Sequence, residues 1–321
     1  MFKNYVGWHI ELTRRCPLLC PACDRTLLRD AGLDLTMDID VDMLKAFLPQ
    51  AELKNVQSVL LQGNLGDPIF HPQFHDIAEH FFAARALDLM TNGLRSIDFW
   101  QRVLSTWPSH STITFSIDGL RDTNHLYRKK AKWPLLENLF GLIAKQNRQC
   151  KLVWKFIPFE HNYHQIDEAR QLAKDLGFNA FRLQRTRELL PEINDGGKLR
   201  DWWPKPLDAE TPVTFLEELQ PFCAKGDIHY VSALGEYFPC CWWSGLYDEP
   251  GQPHSAWPTF SIRGKTSAQA RDHFLKFSQN LALDFEKVPS ACKTFCKKRS
   301  GITGDRPNTQ IHRQIENFDR T

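Results

Sequence analysis

Residues 13–25 read TRRCPLLCPACDR, and this stretch decides how the rest of the chain is read. Cys16, Cys20 and Cys23 fall within eight positions, directly after GWHIELT (7–13), whose residues alternate as in a strand. Three thiolates in such a loop can bind zinc, an iron–sulfur cluster, or nothing. Structural zinc takes four ligands; no second cysteine pair lies near, and His71 would have to approach through space. A [4Fe–4S] cluster takes one thiolate per iron, so three cysteines leave one iron open to an outside ligand. An open iron is what a catalytic cluster requires.

The 321 residues are enough for one large domain and a smaller appendage. A net charge of +2 argues against a protein built to coat nucleic acid or an anionic membrane. The first residues, MFKNYVGWHIELTRR, contain no apolar run of the secretory kind, and no stretch is long and apolar enough to span a bilayer. A cytoplasmic location is the expectation. Nine cysteines, an odd number with no export signal, argue against a disulfide framework. Cys150 stands alone and reads as a buried small apolar residue.

Five more alternating runs follow the first: SVLLQG (58–63), LDLMTN (87–92), TITFSID (112–118), KLVWKFIPF (151–159) and AFRLQRT (180–186). Helical patterns separate them, including HPQFHDIAEHFFAARA, SIDFWQRVLSTW, LLENLFGLIAKQ and NYHQIDEARQLAKDLG, the last with Gly177 at its C-cap. Strands alternating with helices imply a parallel sheet, either an open Rossmann-like sheet or a partial barrel. A parallel strand buried on both faces should be almost continuously apolar. Here one parity is polar instead: His9, Glu11, Thr13; Gln62, Asn64; Asp88, Asn92; Thr114, Ser116, Asp118; Lys155; Arg182, Gln184. That pattern favours a partial (β/α)6 barrel of α/β class whose inner face lines a polar binding cavity.

After residue 186 the pattern breaks into a stretch rich in proline, glycine and charge. IHYVS and EYFPC then read as a hairpin turning near Gly235. The expected divisions are a barrel over 1–190, a linker or surface loop over 191–219, a small cysteine-bearing extension over 220–303, and a polar tail over 304–321 without a clear structural signal.

The spacing CxxxCxxC after the first strand of a six-stranded β/α unit resembles the signature of radical S-adenosylmethionine (SAM) enzymes. LGDPIFHP (65–72) resembles that family's GGEP segment, TNG (91–93) ends the third strand, and SIDG (116–119) ends the fourth. Leu65 replaces the segment's first glycine, Asp67 its glutamate, and Ala22 stands where an aromatic residue often precedes the last cysteine. The resemblance implies a partial TIM-like barrel. Cys16, Cys20 and Cys23 would hold a SAM-binding [4Fe–4S] cluster, with Gly66, Asp67, Asn92, Ser116 and Asp118 contacting the cofactor. Asp118, Lys155, Arg182 and Gln184 are candidates for substrate or cofactor contacts in the lumen, where an ion pair such as Asp118 with Lys155 is the plainer role. His71 is a weaker candidate, and Arg128 reads as a solvated loop charge.

Cys223, Gly235 and Cys240 follow a C-x11-G-x4-C spacing that resembles the start of SPASM and twitch extensions. The shorter twitch form implies a second, auxiliary [4Fe–4S] cluster held by Cys223, Cys240, Cys292 and Cys296, with Cys241 a rival to Cys240. A four-thiolate zinc site would use the same ligands. The activity implied is reductive cleavage of SAM to a 5′-deoxyadenosyl radical, which abstracts hydrogen from a substrate in the barrel. An electron donor such as flavodoxin or ferredoxin would serve it. The substrate is a peptide or protein side chain, as for many SPASM and twitch relatives, or a small polar metabolite of sugar or aminocyclitol type. The start of the chain almost at the first strand weighs mildly against the peptide. A non-catalytic iron–sulfur or zinc protein is the third reading.

Overall fold

Six parallel strands form within the alternating runs: β1 (Gly7–Ile10), β2 (Ser58–Leu61), β3 (Leu87–Thr91), β4 (Thr112–Ser116), β5 (Lys151–Phe156) and β6 (Ala180–Gln184). The computed structural model describes residues 7–146, 148–184, 215–219, 228–244, 257–280, 297–299 and 313–318. Helices over Phe74–Phe81, Ile97–Thr106, Trp133–Lys145 and Ile166–Asp175 make crossovers between successive strands. The first of these buries Phe74, Ile77, Ala78 and Phe81, a spacing that puts one apolar face on the sheet. Burial of each such phenylalanine is worth about 1.5–3 kcal/mol.

Among the described residues five strands follow: β7 (Phe215–Leu219), β8 (Ile228–Val231), β9 (Tyr237–Phe238), β10 (Lys297–Arg299) and β11 (Arg313–Asn317). The main sheet runs β11-β6-β5-β4-β3-β2-β1-β8-β9, while β7 and β10 pair separately. The sheet is not closed: β1 and β6 do not meet, and each takes a C-terminal strand instead. The parallel part is a partial barrel, as the alternation implied.

The hairpin forms where expected, with β8 antiparallel to β9 and Gly235 at φ +73°, the left-handed region that favours glycine. Beyond the hairpin, β8 also pairs parallel with β1, Gly7 opposite Ile228 and Ile10 opposite Val231. β11 forms inside the polar tail, where the sequence carries no clear structural signal, and runs antiparallel to β6. Hydrophobic alternation does not reveal a strand as polar as RQIEN, which forms by satisfying the open edge of β6.

Two buried indoles fix the loops leading to the site. Trp100 donates Nε1–H to the Gly93 carbonyl at 2.8 Å, and Trp154 donates to the Ile117 carbonyl at 2.9 Å. The loops after β3 and β4 are thus held from the core side.

Candidate active site

The C-terminal ends of β1 to β5 surround an open cavity whose empty volume, solvent at its mouth included, is about 650 Å3. Cys16, Cys20 and Cys23 share its wall with Gln62, Asn64, Gly66, Asp67, Asn92, Ser116, Arg128 and Lys155. Eight residues singled out in the sequence therefore meet in one place: the three cysteines, Gly66, Asp67, Asn92, Ser116 and Lys155.

Burial pushes the Cys16 and Cys20 thiols up to about 12 and raises Cys23 as well. Without a ligand all three hold their protons at neutral pH, so binding iron expels those protons. Asn92 donates Nδ2–H to Cys16 Sγ at 3.6 Å. Cys16, Cys20 and Cys23 all line this one cavity, and three cysteines suit a cluster that takes one thiolate per iron.

The GDP segment sits against the cysteine loop. Asp67 N–H donates to the Arg15 carbonyl at 2.9 Å, and a Cβ on Gly66 would lie 1.9 Å from the Thr13 carbonyl oxygen. Only glycine lets these two backbones approach so closely. Burial pushes the Asp67 carboxyl up to about 6, although hydrogen bonds from Asn92 N–H (2.7 Å), Thr91 Oγ1–H (3.0 Å) and Ile69 N–H (3.3 Å) pull the other way. The carboxylate thereby ties the end of β2 to the end of β3.

Asp118 is buried and does not line the cavity. Its carboxylate accepts from Ile157 N–H and from Arg128 Nε–H, both at 2.7 Å. Its partner is therefore Arg128 rather than Lys155. Arg128 is no solvated charge: its side chain is 15 % exposed, and it reaches back from a short helix to the cavity wall. Burial disfavours the Arg128 charge, and Asp118 and Cys20 more than compensate, raising its pKa. Asn124 Oδ1 accepts from Asp118 N–H, and Asn162 Nδ2–H donates to the Asp118 carbonyl, so the turn after β4 is braced on both sides.

Lys155 reaches Met90 Sδ at 3.4 Å. Arg182 is its register neighbour on β6, but neither Arg182 nor Gln184 is on the cavity wall. His71 uses both ring nitrogens, with Nε2 3.1 Å from the Ile39 carbonyl and Nδ1 accepting from Gln73 N–H, so it is not placed as a ligand. Cys150 is buried in the core, as read from the sequence. Arg25 also lines the cavity and was not singled out; its signal was its place two residues after Cys23, on the helix Asp24–Asp30 that leaves the motif. Cys240 and Cys241 lie after β9, at a bend and at the start of a short turn, so strand alternation does not separate them. Both are half-buried against the core. Cys223, Cys292 and Cys296 lie outside the described residues.

No protein-family model matches the chain. Streptococcus suis SuiB bound to S-adenosylmethionine superposes with a TM-score of 0.54 at 14 % identity, over 82 % of this chain and 65 % of SuiB. The enzyme anSMEcpe, solved with AdoMet and the Cp18Cys peptide, superposes with a TM-score of 0.52 at 16 % identity, over 91 % of this chain and 89 % of its own. The fold is that of the radical SAM enzymes. In sequence, the chain is 24 % identical over 201 residues to a Pyrococcus furiosus protein described as the tungsten-containing aldehyde ferredoxin oxidoreductase cofactor-modifying protein. That match takes in 58 % of this chain, which spans about half the length of the relative. No helix among the described residues is long and apolar enough to cross a membrane.

Proposed function

We propose that this chain is a radical SAM enzyme acting on a peptide or protein side chain. The observation that carries the reading is the placement of three cysteines, the GDP loop, Asn92 and Ser116 around one cavity on a radical SAM fold. When bound there, a [4Fe–4S] cluster with SAM supplies reductive cleavage of the sulfonium and a 5′-deoxyadenosyl radical for hydrogen abstraction. Cys16, Cys20 and Cys23 hold the cluster and leave one iron to the cofactor. Gly66 and Asp67 face the methionyl ammonium, Asn92 and Ser116 take polar groups of SAM, and Asp118 orients Arg128. Lys155, on the cavity wall, contacts the substrate, while Arg182 and Gln184, which do not line that wall, serve only a substrate that extends past it. Cys223, Cys240 or Cys241, Cys292 and Cys296 hold a second cluster in a twitch-type extension, and a flavodoxin or ferredoxin delivers electrons.

The peptide reading is supported by SuiB and anSMEcpe, whose structures include the precursor peptide SuiA and the Cp18Cys peptide. A small polar metabolite is the second reading, favoured by the cofactor-modifying description of the P. furiosus relative. The decisive test is anaerobic reconstitution, reduction and assay for 5′-deoxyadenosine. Formation above a Cys16/Cys20/Cys23→Ala control is expected; none above it ends the catalytic reading. Zinc in place of iron at the later cysteines would end the two-cluster assignment.

A further inference from the structure

Glu11 is among the most buried charged residues described, at 1 % exposure on the strand end that leads into the cysteine loop. Its two oxygens join segments far apart in the chain. Oε1 accepts from Leu65 N–H at 2.6 Å; Oε2 accepts from the Tyr230 hydroxyl at 2.9 Å and from Ala233 N–H at 3.5 Å. Leu65 belongs to residues 63–67, every one of which lines the cavity. Tyr230 belongs to β8 and Ala233 to its turn, both in the C-terminal part of the chain.

We propose that Glu11 is a positioning residue that makes the order of the 63–67 loop, and with it the affinity for SAM, depend on the C-terminal strand β8. The inference rests on the proposed function for its cofactor, while the dependence of the loop on β8 stands on geometry alone. A buried acceptor with three donors is rigid only when all three are present. If β8 leaves β1, Oε2 loses both partners and the carboxylate is free to rotate. Rotation takes Oε1 off Leu65 N–H. The loop is also held by Asp67, through its N–H to the Arg15 carbonyl and its carboxylate to the end of β3, and by Leu65 packing against Leu28 and Leu35, but none of these ties engages Leu65 N–H. His9 strengthens the junction, its Nε2 lying 2.7 Å from the Gln62 carbonyl and its ring packing edge-on to Tyr230 at 4.9 Å. Assembly of the C-terminal segment is thereby felt at the cofactor loop with no change in any cofactor-touching side chain.

The test uses the full chain with Glu11→Ala, Glu11→Gln and Tyr230→Phe. Amide hydrogen exchange of residues 62–67 is read in the protein before cluster loading, and SAM affinity by equilibrium binding after anaerobic reconstitution. Glu11→Ala is expected to speed loop exchange and weaken SAM about tenfold. Tyr230→Phe, which touches neither the loop nor the cofactor, is expected to do so about threefold. Glu11→Gln keeps an acceptor for Leu65 N–H but turns an amide NH2 toward Ala233 N–H, and is expected to weaken SAM less than Glu11→Ala. A merely structural role would lower the denaturation midpoint while leaving the folded protein's SAM affinity unchanged, and that outcome overturns the proposal. Unchanged loop exchange in Tyr230→Phe overturns it too, and this variant decides alone if Glu11→Ala does not fold. A parent protein that loads its cluster yet binds no SAM refutes the cofactor half together with the proposed function, and the exchange result then decides the loop's dependence on β8.

Discussion

Replacing Arg128 with methionine isolates the energetics of the site's buried ion pair. The Asp118 side chain is 0 % exposed and Arg128 15 %, with Nε 2.7 Å from Oδ2. At an effective dielectric constant of about 20, unit charges about 4 Å apart attract by roughly 4 kcal/mol. Breaking one side of a buried pair costs about 3–5 kcal/mol, because the remaining charge stays buried. Asp118 would keep its hydrogen bond from Ile157 N–H, which places the expected loss at the lower end, about 3 kcal/mol. Asp118→Asn strands the less buried partner and should cost less. The double variant should cost about 2 kcal/mol less than the two singles added, the coupling of groups in direct contact. Urea denaturation of the chain before cluster loading, on all four proteins, measures this cycle. A loss below about 1 kcal/mol for Arg128→Met, or strictly additive singles, would refute the reasoning and return Arg128 to the role of a solvated loop charge.

Gly66→Ala forces a Cβ to within 1.9 Å of the Thr13 carbonyl, so the loop must shift, and equilibrium binding should show SAM affinity down at least about tenfold. Trp154→Phe leaves the buried Ile117 carbonyl without its 2.9 Å donor and should cost about 1–3 kcal/mol in denaturant unfolding. Burial pushes the His229 pKa down to about 4, with the Arg271 charge adding to the effect. The unfolded chain therefore takes up a proton near pH 6.5 that the folded chain refuses until about pH 4. This group's contribution is intact above pH 6.5 and falls by about 3 kcal/mol as the pH drops to 4. The stability difference between parent and His229→Gln should change by that amount over this window, and a flat difference would contradict it.

The six parallel strands were legible because each presents one apolar parity to the helices, a period that needs no tertiary information. Cys16, Cys20 and Cys23 were legible from their spacing after the first strand, and Gly66, Asp67, Asn92 and Ser116 from the family resemblance of their segments; they meet in one cavity because a parallel sheet brings its strand ends together. Arg128 was misread because the surrounding YRKK looks like a solvated turn; nothing local shows that one of these cations points inward to Asp118. Glu11 was seen as a lumen-facing polar residue, but its partners stand 54 and 219 positions away, beyond any local pattern. β11 escaped notice because a polar edge strand has no periodic apolar face.

The placement of β8 beside β1 bears on how the chain is made. β1 leaves the ribosome well before one of its edges can be completed, by a strand about 220 residues later. At about 5–20 residues per second, the ribosome takes roughly 10–40 s to supply it. Throughout that interval the nascent barrel carries an open strand edge, and the β6 edge stays open for about 130 residues of synthesis until β11 covers it. Slow synthesis or premature termination before β8 would release a chain whose strands are formed but whose ends are unguarded. Chaperone demand and inclusion-body formation should therefore follow the completeness of the C-terminal third more closely than the sequence of the barrel.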